Sequence, residues 1–539
     1  MAAASTPQSL HQPWLRIFIA ALLVLGVFFR LYNLDGKVYW HDETMTSLRV
    51  SGYTQSQFVE QAYTGQTTRI ETLLAQYQYP NSGRGWDETW RALAEHPEHS
   101  PGYYVLTRLW LERLPHSVTM IRLLSALIGV LTLPTMFWLT RELFQSAHVA
   151  WVTTALFAVS PFQVLYAQEA REYSLWALTI LGSSAALLSA RGWKGWTGYG
   201  LSAAAALYVH PFSGFLLMGH GLYVAIARKR QQWLGFLGAM ALALLLFFPW
   251  LWVVVQNFDR FVGNTASVNV DRAGEMPLFW LLNLSRVFFD LNQGPSAINP
   301  AHYLLAALAI AALINLCRSE PPQRWVFVVT LVGVMGVALI GPDVFLGGRR
   351  SSITRYAVPV YLGLQIAIGH FLAQRLQPSP HDVPRKRHWR RWRGVAIALA
   401  LGGILSCAVS AYVPVWWHKS YAKSRRIPDV AQAVNTSVER GVRSGHRPLL
   451  LSDYQPAGRI LTLAHALDPE VALQLVATPR QLQLPGNDQS GPAELLVFLP
   501  SQRLTKRLSR WLTRRNSALE PIQFEAQEPE PWLLRAPLR

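Results

Sequence analysis

Two adjacent carboxylates are the first residues of this chain whose types and position could carry out chemistry. Asp42 and Glu43 lie in "VYWHDE" (38–43), shortly after the first long apolar run. A carboxylate at a membrane surface can act as a general base toward a hydroxyl acceptor. Alternatively, Asp42 caps a helix that begins with Glu43. The spacing alone leaves both interpretations open.

Arg171, in "YAQEAREYS" (166–174), is the first of several arginines that could bind a phosphate. A guanidinium group binds phosphate through paired hydrogen bonds. The neighbouring Glu169 and Glu172 offer the alternative of an internal ion pair.

A second group of arginines, Arg349, Arg350 and Arg355, lies in "GGRRSSITRY" (347–356), where Asp343 is the one acid nearby in the sequence. This pattern favours binding of an anion. Together with a base, such arginines would suit a reaction on a lipid-linked phosphate. The base would activate an acceptor hydroxyl while the arginines bind the leaving phosphate.

His96, Glu98 and His99, in "EHPEHSPGYYVLTRLW" (95–110), could bind a divalent cation. Their spacing matches no strong metal-site signature, and histidines beside a proline are as often ordinary surface residues. A divalent cation is therefore a candidate cofactor that the sequence does not require.

The composition places these groups in a membrane protein. Hydrophobic residues make up 51% of the 539 residues and charged residues 15%, whereas about 25% of the residues of a soluble domain are charged. The net charge of +18 reflects membrane topology and anionic headgroups better than binding of nucleic acid. The two cysteines, Cys317 and Cys407, indicate neither a disulfide framework nor a metal cluster.

Many apolar runs approach the length of about 20 residues that crosses a bilayer. We expect the first run to be a retained helix, because no small-residue cleavage site follows it. The region 196–227 could alternatively form one long element kinked around His210 and Pro211. The predicted spans, eleven in number, are 14–32, 119–140, 148–167, 173–190, 196–210, 212–227, 233–255, 301–317, 325–341, 355–374 and 394–417.

The distribution of Lys and Arg predicts the orientation. With the N-terminus inside, the even-numbered connections are cytoplasmic and carry most of the loop charge, including "RKRHWRRWR" (385–393). Residues 33–118 then form a large first external loop. We therefore expect a multi-pass protein of the inner (plasma) membrane, with the carboxylates and both arginine groups on the extracytoplasmic face.

The chain divides, in this prediction, into a transmembrane domain over 1–417 and a small soluble α/β domain over 418–539. The tail mixes short apolar runs with helix-like stretches such as 428–441 and 501–513. It contains no catalytic or nucleotide-binding motif.

Several segments together resemble bacterial membrane glycosyltransferases of the protein mannosyltransferase-like group (glycosyltransferase family 39-type), which have the GT-C superfold. The resemblance covers about residues 10–375 and includes the long first external loop. It implies a GT-C-like fold with about 11 transmembrane helices. It also implies inverting transfer of a sugar from a polyprenyl-phosphate-linked donor to an extracytoplasmic glycan, lipid or protein. The segments are "WHDE", "HPEHSPGYYVLTRLW", "LYAQEAREYSLWAL" and "TRYAVPVYLGLQ".

The same resemblance implies roles for particular residues. Asp42 would be the catalytic base, and Glu43 would shape the acceptor site beside it. In this chain Glu98, His99 and Ser100 are inserted before the proline of the family's "HPPLYY"-type segment. The residues that would bind the donor phosphate or the substrate are Arg171, Tyr173, Arg350, Arg355, Tyr356, His96 and His99.

A polytopic transporter or lipid-linked-sugar flippase is the alternative function. It would predict paired repeats and charged residues within the spans, whereas the polar groups here gather at the outer edge. An enzyme that uses soluble nucleotide sugars is disfavoured, because no G-x-G-x-x-G fingerprint occurs. A scaffold that acts through its tail would leave the carboxylates and the external arginines unexplained.

Overall fold

The structure is a computed structural model. It describes residues 13–81, 83–266, 273–377, 386–444, 447–454, 456–483, 492, 494–525 and 531–538 of the chain.

Helices dominate the chain. Numbered along the sequence, they are α1 (Pro13–Leu31), α2 (His41–Val50), α3 (Gln55–Ala62), α4 (Ile70–Tyr77), α5 (Trp86–Ala94), α6 (Gly102–Leu111), α7 (Val118–Phe144), α8 (Ala147–Ala158), α9 (Pro161–Ala167), α10 (Tyr173–Ser189), α11 (Gly192–Val209), α12 (Ser213–Ala227), α13 (Gln231–Gln256), α14 (Phe258–Thr265), α15 (Met276–Ser285), α16 (Pro300–Ser319), α17 (Pro322–Phe345), α18 (Val358–Leu376), α19 (Lys386–Tyr412), α20 (Tyr421–Ser424), α21 (Ile427–Ser444), α22 (Ala457–Ala464) and α23 (Gln502–Thr513).

The strands are β1 (Thr64–Arg69), β2 (Leu449–Ser452), β3 (Ala472–Val476), β4 (Glu494–Phe498), β5 (Glu520–Ile522) and β6 (Leu533–Pro537).

The chain forms two compact units. The first, which we call the membrane unit, comprises Met1–Leu34, His96–Tyr103 and Thr119–Tyr412. The second, which we call the sheet unit, comprises Asp35–Glu95, Tyr104–Val118 and Val413–Arg539.

The membrane unit confirms the predicted polytopic helical fold. Among the described residues, seven helices are long and apolar enough to cross a membrane, or eight if α8 and α9 count as one span. A helix occupies each of the eleven predicted positions. Several of these helices, such as α10 and α12, are short, so the number of crossings stays a prediction.

The predicted span 148–167 is broken by a bend of 63° between α8 and α9. Pro161 begins α9 and has no N–H to donate, so the carbonyl groups at the end of α8 need other partners. The fully buried Arg30 of α1 donates to the oxygen of Ala158 at 2.6 Å, and the thiol of Cys407 lies 3.7 Å from the oxygen of Val159. Satisfying such groups within the protein is what permits a broken helix at membrane depth.

The sheet unit contains a six-stranded sheet in the order β1-β3-β2-β4-β6-β5. β2 runs parallel to β3 and β4, and the other pairs are antiparallel. Side chains of one strand alternate between the two faces. Leu450 of β2 packs in one buried cluster with α21 and α22, while Leu449 and Leu451 pack in a second cluster with α23. Helices therefore cover both faces of the sheet.

The predicted domain boundary at 417/418 differs from the observed division. The first external loop, assigned from the sequence to the transmembrane domain, contributes β1 and helices α2 to α5 to the same unit as the tail. The physical reason is direct strand pairing: β1 is hydrogen-bonded to β3, with Thr68 opposite Leu473. The loop and the tail share one hydrophobic core, in which Phe58 and Leu73 pack with Val430 and Leu461.

Candidate active site

The two carboxylates lie in the first turn of α2, which begins at His41 with Trp40 as its N-cap residue. Oε2 of Glu43 accepts a hydrogen bond from the backbone N–H of Trp40 at 3.3 Å. The alternative in which Asp42 caps a helix starting at Glu43 is therefore wrong, because the capping carboxylate is Glu43. Asp42 remains partly exposed, whereas Glu43 is fully buried.

Glu43 also pairs with a lysine from far along the chain. Nζ of Lys419 donates to Oε2 of Glu43 at 2.8 Å, and both side chains are 0% exposed. Lys419 ends a short 3-10 helix, Trp417–Lys419. Sequence reasoning missed this residue, because nothing in its neighbourhood signals a partner 376 positions away. The pair fixes the turn of α2 that carries Asp42.

The imidazole of His41 lies against Gly458 in the first turn of α22. A Cβ atom at position 458 would come within 1.7 Å of Nδ1 of His41. Glycine is required here for space, and this is a second contact between α2 and the C-terminal part of the chain that the sequence did not reveal.

The membrane unit brings two of the predicted arginines to one aromatic ring. The guanidinium carbon of Arg171 lies 5.9 Å from the ring centroid of Tyr173, and that of Arg355 lies 6.0 Å from the same centroid. Arg355 is also 5.8 Å from the ring of Tyr356. The π face of tyrosine attracts both cations. Because guanidinium groups bind phosphate through paired hydrogen bonds, the two arginines form a candidate phosphate site.

Arg171 also has the internal partner that its sequence neighbourhood suggested. Nη2 of Arg171 donates to Oε1 of Glu172 at 2.9 Å, and the side chains are 3% and 4% exposed. The pair orients the guanidinium group within a buried site. Glu172 therefore holds Arg171 in position. From the sequence alone, this ion pair was an alternative to phosphate binding by Arg171.

Arg350 is held by Asp343 rather than by the tyrosine cluster. Nη1 of Arg350 lies 3.2 Å from Oδ1 of Asp343. The other oxygen of this buried carboxylate accepts hydrogen bonds from the backbone N–H and the hydroxyl group of Ser351, at 2.6 and 2.7 Å. The arrangement is that of a loop anchor at the end of α17, which favours a structural part for Arg350.

The histidines of the "HPEHSP" segment surround Glu98. Nδ1 of His96 lies 3.1 Å from Oε1 of Glu98, and Nδ2 of Asn264 donates to its other oxygen at 3.0 Å. His99 lies 3.9 Å from Glu98 and 3.8 Å from Glu172. Burial raises the pKa of Glu98, but the hydrogen bonds from His96 and Asn264 outweigh it, and the net shift is downward.

This cluster does not fit a metal ion. In the part of the chain that the structure describes, no three His, Cys, Asp or Glu side chains are arranged to hold one. The candidate ligands Glu98 and His99 are instead engaged with each other and with neighbouring polar groups.

A third arginine is tied to the segment that carries Arg355. Nη1 of the buried Arg286 donates to Oδ1 of Asn283 at 3.0 Å. Asn283 in turn donates to the oxygen of Ser352 and accepts from the hydroxyl group of Thr354, both at 2.8 Å. Arg286 was not among the predicted site residues, although it carries the same sequence signal as Arg171, a basic residue in a predicted external loop.

Part of the chain matches the model of a known glycosyltransferase family. Residues 96–253 match the family described as dolichyl-phosphate-mannose-protein mannosyltransferase. A comparison with curated proteins gives no match. The matched region includes Arg171 and Tyr173 but neither Asp42 nor Arg355.

Solved structures share the fold across almost the whole chain. ArnT from Cupriavidus metallidurans, bound to undecaprenyl phosphate, is 16% identical with a TM-score of 0.53, and the alignment covers 97% of each chain. The oligosaccharyltransferase of Archaeoglobus fulgidus in its apo form is 12% identical with a TM-score of 0.51, and the alignment covers 90% of this chain and 70% of that one.

Proposed function

We propose that the protein transfers a sugar from a polyprenyl-phosphate-linked donor to an acceptor on the extracytoplasmic side of the inner (plasma) membrane, with inversion at the anomeric carbon. The observation that carries the proposal is that the guanidinium groups of Arg171 and Arg355 both lie about 6 Å from the ring centroid of Tyr173. The acceptor is a cell-envelope glycan, a lipid or a protein.

The arginines bind the donor phosphate in this proposal. When the bond between the anomeric carbon and the phosphate oxygen breaks, the phosphate leaves with the electron pair and gains negative charge. Guanidinium groups already oriented toward that charge stabilise the transition state without reorganising. Glu172 orients Arg171 for this purpose. The undecaprenyl phosphate bound to the structurally similar ArnT supports a lipid phosphate of this class.

Asp42 is the proposed base. Its carboxylate takes the proton of the acceptor hydroxyl as the acceptor oxygen bonds to the anomeric carbon. The products are the glycosylated acceptor, the polyprenyl phosphate and a protonated Asp42. Glu43, buried against Lys419, shapes the acceptor site by fixing the helix turn that carries Asp42.

Binding of undecaprenyl phosphate tests the arginines. The purified protein in detergent should bind this lipid more tightly than undecaprenol, which lacks the phosphate. A charged hydrogen bond contributes about 1.5–3 kcal/mol, so Arg355→Ala should raise the Kd roughly tenfold to a hundredfold. The matched control is Arg350→Ala in the same loop, which should leave the Kd near that of the unmodified protein. Equal losses in the two variants would refute the assignment of Arg355.

Mass analysis tests the transfer. Lipid-linked sugars and surface glycans from a deletion strain should differ from those of the parent strain, and the unmodified gene should restore the parent pattern. Asp42→Asn should bind undecaprenyl phosphate normally yet fail to restore it. Restoration by Asp42→Asn would eliminate the proposed base, and normal lipid binding without any change in glycans would point to transport.

A further inference from the structure

His210 lies at the break between α11 and α12 in the membrane unit. The residue before a proline is pushed toward extended backbone, and His210, followed by Pro211, has a φ of −151° and a ψ of 132°. The helix α11 therefore ends at Val209. The side chain of His210 is buried, and buried ring nitrogens need hydrogen-bond partners.

One ring nitrogen of His210 has a structural part. Nδ1 accepts a hydrogen bond from the backbone N–H of Phe212 at 3.2 Å, and Phe212 is the N-cap residue of α12. Backbone N–H groups at a helix N-terminus lack partners within the helix, so the imidazole supplies one. A ring nitrogen that accepts a hydrogen bond carries no proton. The imidazole is therefore neutral, with its proton on Nε2.

The plane of this imidazole is fixed as well. It stacks on the indole of Trp176, with the ring centroids 3.9 Å apart and an angle of 11° between the planes. Trp176 is itself held, because its Nε1 donates to the hydroxyl group of Ser213 at 3.1 Å. Since Phe212 holds Nδ1 and Trp176 holds the ring face, the fold sets the direction of the Nε2–H bond.

Nε2 of His210 has no hydrogen-bond partner among the residues that the structure describes. A second buried histidine of the membrane unit, His220, differs in this respect. Its Nε2 lies 3.1 Å from the hydroxyl oxygen of Ser184, and its Nδ1 lies 3.0 Å from that of Tyr199. A buried N–H group left unpaired is unfavourable. The contrast indicates that the acceptor for His210 comes from a ligand.

The surroundings of His210 indicate the chemistry of that ligand. The imidazole lies 6.2 Å from the ring of Tyr173, centroid to centroid. The guanidinium carbons of Arg171 and Arg355 lie 5.9 and 6.0 Å from the same tyrosine centroid, and both arginines act electrostatically on His210. The two cations attract an anion, and the neutral Nε2–H group can donate to one more of its oxygens. A phosphate has the charge and the number of oxygens that this set of groups requires.

We infer, on the basis of the proposed function, that His210 contacts the polyprenyl-phosphate-linked sugar and donates a hydrogen bond from Nε2 to an oxygen of its phosphate group. His210 thus adds a neutral N–H group to the two arginines. The phosphate gains negative charge as it leaves. An N–H group already oriented by α12 and Trp176 stabilises that charge without reorganising.

Two substitutions separate the two ring nitrogens. Asparagine can accept from the backbone N–H two residues further on, so His210→Asn keeps the bond to Phe212 and removes the Nε2–H group. Glutamine is longer and carries an N–H near the position of Nε2, so His210→Gln keeps that group and loses the bond to Phe212. The Kd for undecaprenyl phosphate and for undecaprenol is measured on the full-length protein in detergent, together with the midpoint of thermal unfolding.

His210→Asn should bind undecaprenyl phosphate roughly tenfold to a hundredfold more weakly, which is the usual loss of one hydrogen bond to a charged group. Its Kd for undecaprenol, which lacks the phosphate, and its unfolding midpoint should stay close to those of the unmodified protein. His210→Gln should keep more of the preference for the phosphate, while its midpoint falls. The matched control, His220→Asn, should lower the midpoint and keep the preference.

A preference for undecaprenyl phosphate that survives in His210→Asn and is lost in His210→Gln would overturn the inference, because His210 would then act as the cap of α12 alone. Equal weakening of both lipids in His210→Asn would also overturn it. Arg355→Ala separates these results from a failure of the proposed function. If Arg355→Ala weakens binding and His210→Asn does not, only the role of His210 is refuted. If neither substitution changes the Kd, the phosphate site itself is refuted.

Discussion

The buried pair of Glu43 and Lys419 gives the sharpest prediction about stability. Lys419→Met removes the cation and leaves the carboxylate of Glu43 buried without it, a change that costs about 3–5 kcal/mol in buried ion pairs. This is a large part of the roughly 5–15 kcal/mol by which domains are stable. The midpoint of thermal unfolding of the purified protein should fall clearly.

The double variant separates the ion pair from the surrounding packing. Glu43→Gln combined with Lys419→Met removes both charges, and a glutamine at this position can still accept the hydrogen bond from the N–H of Trp40. The double variant should therefore be more stable than Lys419→Met alone. The interaction energy comes from the double-mutant cycle, and Lys423→Met, at an exposed lysine nearby, is the control.

Transfer activity provides the second measurement in this experiment. If the pair fixes the turn that carries Asp42, Lys419→Met should lower sugar transfer at temperatures where the variant is still folded, and the double variant should recover part of it. Additive losses in stability, with no recovery in the double variant, would refute the reasoning.

Three further predictions concern positions around the candidate site. Gly458→Ala should displace His41 and reduce transfer while binding of undecaprenyl phosphate stays normal, which the Kd and the glycan analysis check together. Glu172→Gln should weaken undecaprenyl phosphate binding, because Arg171 loses the carboxylate that orients it; an unchanged Kd would contradict the positioning role. The pKa of Glu98 is lowered in the fold, so its ionised form stabilises the protein above the usual carboxyl pKa. That stability is lost as the pH falls through the lowered value. Glu98→Gln should therefore reduce the acid-side decline of the unfolding midpoint, and an unchanged decline would assign it to other groups.

Local patterns in the sequence predicted the helices well. An apolar run of membrane length forms a helix whatever lies elsewhere in the chain, because no water is available to its backbone. The bend before Pro161 was absent from the prediction, although the proline is a local signal. Because Pro161 lies within a continuous apolar run, the sequence predicted one unbroken span there.

Contacts between residues far apart in the chain could not be predicted from the sequence. The pairing of β1 with β3 joins segments that are remote along the chain, and "TGQTTR" has no strong strand pattern. Lys419 likewise has an ordinary neighbourhood. The predicted external position of Arg171 and Arg355 made them candidates for phosphate binding, and the family resemblance assigned both to one site. In the structure both guanidinium groups lie about 6 Å from the ring centroid of Tyr173. Their part in binding a donor stays a prediction.

The position of β1 at the edge of the sheet has a consequence for biosynthesis. The ribosome produces β1 and α2 long before it produces β3 and Lys419. The first external loop therefore cannot complete its fold until nearly the whole polypeptide has been made. Contacts so distant in sequence form slowly and leave partners exposed meanwhile. Shortening the gene from its 3′ end would therefore damage the N-terminal loop as well, and a fragment lacking the tail would be a poor substitute for the whole enzyme.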